Sequence, residues 1–218
     1  MYLILIAVTL ILGIGGQAYI KHSFKKWNKV PITTGMTGAQ AARKMLDDNG
    51  LIHVSVQQVG GDLSDHFDPR TNVVSLSADV YNTCSVAATA IACHECGHAV
   101  QHARGYAPAK LRGSIVPVVN LASNAWIFVL IAGIYLNMVG LYNLAIILYV
   151  VVIAFHLVTL PVEFNASRRA LAYVKSYGFL PANESGGART VLGAAAFTYV
   201  AAALSSVLYL LYLLSARR

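Results

Sequence analysis

Apolar positions fall along this chain in two regimes. Four stretches, 2–20, 115–136, 139–160 and 191–214, run almost without charge. Each is long enough for a bilayer core, which takes about 20 apolar residues to cross roughly 30 Å. Between the first and second, residues 21–113 alternate apolar and polar positions over the shorter periods of a folded, water-facing unit. Thr37 there predicts the N-cap of an amphipathic helix, with Ala41, Ala42, Met45 and Leu46 on its apolar face and Gly50 at its end. "HVSVQQV" (53–59) alternates as a half-buried strand, "DHFDPRTN" reads as turn, and "VVSLS" (73–77) reads as a second short strand. From about Thr83 a helix of small residues runs through Gln101 and stops near Gly105.

The expected fold class is therefore a mainly α membrane protein, with about four transmembrane helices and a small cytoplasmic α/β unit. The expected segments are an anchor at 1–20, the α/β unit at 21–113, a transmembrane hairpin at 114–161, a cytoplasmic helix at 162–190 and a last span at 191–218.

Composition agrees. Of 218 residues, 57% are hydrophobic and only 11% charged, with a mean hydropathy of +0.60, which excludes an ordinary soluble domain. No base precedes the first span, and Lys21, Lys25, Lys26 and Lys29 follow it. A cleaved signal would show the reverse, so the span reads as an uncleaved anchor with residue 21 onward in the cytoplasm. Apart from Arg217 and Arg218, every Lys and Arg lies in 21–113 or 162–190, and the turn around 137–143 carries no charge. Both polar segments are thus expected inside and both termini outside. The net charge of +7 flanks spans rather than forming a stripe with interleaved aromatics, so the expected partner is the lipid bilayer and not nucleic acid. Cys84, Cys93 and Cys96 lie on the reducing side, where no disulfide framework is expected.

The candidate chemistry sits in "AIACHECGHAVQHARG" (90–105). His94 and His98 are four residues apart, one helical turn, and share a face as two ligands of one metal must. Glu95 flanks that face. Cys93 and Cys96 form a C-x-x-C through the same residues, but an intact helix turns both away from the histidines into packing. That disfavours a Cys/His knot and a redox pair. Two histidines held by hydrogen bonds in a core would be the bland alternative.

A metal site needs a third ligand from elsewhere. His102 lies a further turn along the same helix and reads as a surface residue. Gln101 and Arg104 stand where a longer H-E-x-x-H-x-x-G-x-x-H pattern needs glycine and histidine. Glu163, in "LPVEFNASRRALAYV", is the better candidate, because the hairpin of spans two and three returns it to the side holding His94 and His98. A glutamate starting a helix just after Pro161 would look the same.

"HECGH" followed, after a transmembrane hairpin, by "VEFNAS" resembles the integral-membrane gluzincins, which include prenyl-protein (CaaX) endopeptidases and the bacterial heat-shock membrane protease. "TGAQAARKMLDDNGL", "DHFDPRTNVVSLS", "ACHECGHAVQHA" and "PVEFNASRRAL" are closer still to the neutral zinc metallopeptidase family of small bacterial membrane proteins. The resemblance implies one Zn2+ held by His94, His98 and Glu163, with Glu95 as general base, in an endopeptidase acting on protein or peptide substrates at the cytoplasmic face of the plasma membrane. Such a site keeps one zinc position for water and lowers its pKa to about 7. Ser167 departs from the wider group, which has aspartate there as the outer partner of a ligand histidine. Arg168, Arg169 and His156 are unranked candidates for stabilising the oxyanion. An exposed edge strand at 73–76 would bind substrate in extended form. A catalytically idle scaffold keeping the motif is the rival reading; a transporter is disfavoured by spans almost free of ionisable groups.

Overall fold

The computed structural model describes residues 2–179 and 185–215. Arg217 and Arg218, the exception to the charge pattern, lie outside the described residues, as do 180–184 in the expected cytoplasmic helix. Among the described residues, seven helices and three strands follow in the order α1 (Tyr2–Trp27), α2 (Gly38–Asp48), β1 (Ser55–Val59), β2 (His66–Asp68), β3 (Val73–Ser77), α3 (Ala78–Asn82), α4 (Val86–Ala103), α5 (Ala107–Tyr135), α6 (Val139–Tyr177) and α7 (Ser185–Ser215). Four helices among these residues are long and apolar enough to cross a membrane: α1, α5, α6 and α7. The chain divides into two compact units, one of residues 1–16, 107–161 and 198–218, the other of 17–106 and 162–197.

The first unit is built of long helices with apolar side chains turned outward: Leu121, Phe128, Ile131, Ile134 and Ile147 are all exposed. Inside it, Trp126, Tyr149 and Tyr209 cluster with Leu130 and Ile153, Tyr209 standing edge to face with both other rings. Gly133 allows α5 close to the start of α6, since a Cβ there would lie 2.8 Å from the Tyr142 amide nitrogen.

The second unit buries its apolar residues inward. Thr37 caps α2 as expected: its hydroxyl accepts from the Gln40 amide, and Gln40 Oε1 accepts from the Thr37 amide. Gly38 must be glycine, because a Cβ would sit 2.1 Å from the Val80 carbonyl oxygen. The apolar face of α2 packs its buried Ala41, Ala42, Met45 and Leu46 into one core with Cys93 and Cys96 of α4, Val74 and Leu76 of β3, and Val174 and Phe179. Ser85 caps α4 by accepting from the Ala88 amide, and Gly105, at φ +63°, follows its end.

Several boundaries depart from the sequence reading. "HFD" within the expected turn is strand β2, leaving 69–72 as the turn to β3. β3 is the central strand, not an exposed edge: the order is β1-β3-β2, with β1 parallel to β3 from Ser55↔Val73 to Val59↔Ser77 and β2 antiparallel from His66↔Ser75 to Asp68↔Val73. Both sides of 73–75 are therefore occupied, which removes that segment as a substrate-pairing edge. A short helix, α3, precedes the motif helix, which begins at Val86. Pro161 does not start a helix. It lies inside α6, which runs unbroken from Val139 to Tyr177, so Glu163 is mid-helix and no N-terminal dipole accounts for it.

Candidate metal centre

Helix α4 is made of residues small enough to be buried nearly all round. Val86, Ala88, Ala92, Cys93, Cys96, Ala99 and Val100 are all buried. A helix enclosed this way can hold polar side chains in fixed places, provided that each polar atom finds a partner. Gly97 sets the distance to its neighbour. A Cβ there would meet the Ala166 carbonyl oxygen at 2.8 Å and its Cα at 3.1 Å, so α6 approaches α4 to backbone contact. That close seam sits one residue before His98 and three after Glu163.

Across it, His94, His98 and Glu163 come together. The Glu163 Oε2 atom lies 3.3 Å from His94 Nε2 and 3.6 Å from His98 Nε2. The three ligand atoms fall within 4.8 Å of one another, and the imidazole rings stand edge to face with centroids 4.8 Å apart. Glu163 is buried at 3% exposure and the histidines are half-buried.

The far side of each ring is held. His94 Nδ1 lies 3.1 Å from Ser167 Oγ. His98 Nδ1 lies 3.0 Å from Gln101 Oε1. The Gln101 amide nitrogen donates to the Val162 carbonyl oxygen at 2.8 Å and to Asn165 Oδ1 at 3.1 Å, and Asn165 Oδ1 also accepts from Arg169 Nε at 2.8 Å. Those donations turn the Gln101 oxygen toward His98, which fixes Nδ1–H as the donor there. In His98 a protonated Nδ1 leaves the Nε2 lone pair directed at the common point, and the Ser167 hydroxyl is able to accept from the same tautomer of His94. Two imidazole nitrogens and one carboxylate oxygen are the donor set that zinc takes in open, three-ligand sites, so the residues fit the metal.

Glu95 is 8% exposed. Its carboxylate bears electrostatically on both His98 and Asp65. Burial works against a charged His98, but the Glu163 carboxylate, with smaller help from Glu95 and Gln101, keeps its pKa above the ordinary histidine value. Asp65 accepts from the Ser77 amide at 2.7 Å and from its hydroxyl at 3.1 Å, and burial still raises its carboxyl above the usual range.

The cysteines take no part. Both are buried and free, and burial pushes the Cys93 thiol up to about 12 and Cys96 well above its ordinary value, so neither is a thiolate near neutral pH. His102 is exposed, its ring against Phe67 of β2. Of the oxyanion candidates, Arg168 is exposed, Arg169 is engaged with Asn165, and His156 belongs to the other unit, with Nδ1 2.8 Å from Ser206 Oγ. Sequence reasoning missed Gln101 and Asp65. The available signal for Gln101 was its place three residues after His98, on the same side of a helix otherwise built of small apolar residues.

The whole chain has relatives. Residues 2–218 match the family described as "Putative neutral zinc metallopeptidase". A curated protein of Bacillus subtilis (strain 168), "Putative membrane protease YugP", is 46% identical over 211 residues, which cover 97% of this chain and 94% of that protein. No solved structure matches it.

Proposed function

The chain belongs to this zinc metallopeptidase family, and from that premise we propose that it is a membrane-embedded endopeptidase whose zinc is held by His94, His98 and Glu163. One observation carries the reading: two imidazole nitrogens from α4 and a buried carboxylate from α6 converge within 4.8 Å, and Glu95 directly follows the first histidine in sequence. Bound there, zinc supplies Lewis acidity that makes water acidic near neutral pH and polarises a peptide carbonyl. Glu95 is the general base. It takes the proton of the attacking water and delivers it to the leaving amine nitrogen, a transfer that its largely water-excluded position favours. Ser167 and Gln101 keep the two imidazoles in the tautomer and orientation that present Nε2.

The substrate class is protein or peptide chains that reach the membrane surface. The site faces the cytoplasm, a reading supported by Lys21, Lys25, Lys26 and Lys29 just after the first apolar stretch and by the uncharged turn between α5 and α6.

Zinc content and casein cleavage of the detergent-purified protein test this. The wild type is expected to hold one zinc and cleave, Glu95→Gln to keep the zinc and lose cleavage, and Glu163→Ala to lose the zinc. A wild type that holds zinc and cleaves neither casein nor membrane proteins would instead favour the idle scaffold. Zinc retained at wild-type affinity in Glu163→Ala would remove the third ligand.

A further inference from the structure

Lys21, Phe24 and Lys25 share one face of α1, and with Lys29 in the turn that follows the helix they line a cleft of about 450 Å³. The opposite wall comes from the β1–β2 turn, with Asp62 and Leu63, and from the first residues of α3, with Asp79. Three ammonium groups and two carboxylates thus border one cleft. They do not neutralise one another: among the described residues no lysine nitrogen of the three lies within 4 Å of Asp62 or Asp79. All five side chains are exposed.

The level of the cleft matters as much as its charge. Leu3, Ile4, Leu10, Ile11 and Ile14 of α1 are exposed and apolar, as lipid-facing residues are, and Lys21 opens the first charged turn of the same helix. That is the depth of phospholipid headgroups, where lysine stems run along apolar surface and their ends meet phosphate. Phe24 and Leu63 give the cleft an apolar part beside its charges. Leu63 is held at φ +52°, rare for leucine, in a turn that Ser64 pins by donating to the carbonyl oxygens of Gly60 and Gly61.

We propose that this cleft binds the headgroup of an amine-bearing zwitterionic phospholipid, a phosphoethanolamine lipid, with the lysines around its phosphate and Asp62 and Asp79 on its ammonium. A purely anionic headgroup would leave the two carboxylates facing like charge. A choline headgroup has no N–H to donate to them. The proposal rests on the membrane location of α1 and is independent of the peptidase reading.

Native mass spectrometry of the full chain, offered equal amounts of phosphatidylethanolamine, phosphatidylcholine and phosphatidylglycerol, tests it. The wild type is expected to retain the ethanolamine lipid over the choline lipid by about fivefold, the scale of two modest ion pairs. Asp62→Asn/Asp79→Asn should bring that ratio to one while leaving phosphatidylglycerol bound. Each of Lys21→Gln, Lys25→Gln and Lys29→Gln should weaken ethanolamine-lipid retention by about fivefold. Zinc content should stay at the wild-type value throughout. If the double asparagine variant fails to fold, Asp62→Glu/Asp79→Glu takes its place and must keep the preference. Equal retention of the ethanolamine and choline lipids by the wild type overturns the proposal, as does a preference that survives loss of both carboxylates. Free phosphoethanolamine that binds as tightly as the lipid overturns the lipid assignment. So does a casein peptide that shields the three lysines from acetylation where the ethanolamine lipid does not, since the cleft would then be part of a substrate groove.

Discussion

His94 and His98 face the same carboxylate from the same helix, yet they are held in unlike ways. His94 is steadied by a single hydroxyl, Ser167, reaching from α6. His98 is steadied by Gln101, one turn along its own helix, and that amide is itself fastened to α6 through Val162 and Asn165. Both supports cross between α4 and α6, the first by one hydrogen bond to the ring itself, the second by two bonds from the amide that holds the ring. Losing one should cost metal affinity alone, whereas losing the other should cost affinity and packing together.

The largest effects belong to the groups that both histidines share. Glu163→Ala removes the oxygen that lies near both Nε2 atoms, and if it is the proposed third ligand, zinc affinity should fall beyond the roughly 100-fold that bounds the loss of an outer partner. Competition with a chromophoric chelator measures it. Gly97→Ala acts on the seam. Its Cβ would meet backbone atoms of Ala166, which cannot turn aside, and overpacking of that kind costs about 1–3 kcal/mol. Thermal unfolding should show that loss, and the separation of α4 from α6 should weaken zinc binding in the same variant. A Gly97→Ala protein with wild-type stability would show that the seam is looser than its contacts.

The meeting of His94, His98 and Glu163 was legible from two signals: a two-histidine helical spacing, and a hairpin that returns a carboxylate to the same side. The Thr37 cap was legible as well. What could not be read depends on partners far away in the chain. Three residues, His66–Asp68, are too few for an alternation pattern, and only pairing with β3 makes them a strand. The central place of β3 is likewise set by strands on both sides. Pro161 is an ordinary signal for a helix start, but α6 continues through it. Ser167 looked like a missing carboxylate. With α4 and α6 in backbone contact at Gly97 and Ala166, a side chain as short as serine already reaches Nδ1 of His94.

The contrast between the two supports can be broken directly. Gln101→Leu keeps the volume, removes the side-chain donor to the Val162 carbonyl, leaves Asn165 Oδ1 with Arg169 alone, and releases His98. Zinc affinity should fall by close to 100-fold, with a lower unfolding temperature in the metal-free protein as well. If only affinity falls, Gln101 is not part of what joins the helices.

Ser167→Ala should have the smallest effect, because one neutral hydrogen bond is lost and no other group depends on it. The expected loss is about tenfold in zinc affinity, at the low end for outer partners, with the unfolding temperature of the metal-free protein unchanged. Ser167→Asp sharpens the point. A carboxylate accepting from His94 Nδ1–H makes a charge-assisted bond, stronger than the hydroxyl provides, so affinity should return to the serine level or exceed it. Zinc bound more weakly by Ser167→Asp than by Ser167→Ala would mean that the seam has no room for the longer side chain. Serine would then be required by the closeness of α4 and α6, and the two histidines would differ because the helices leave each of them a different space.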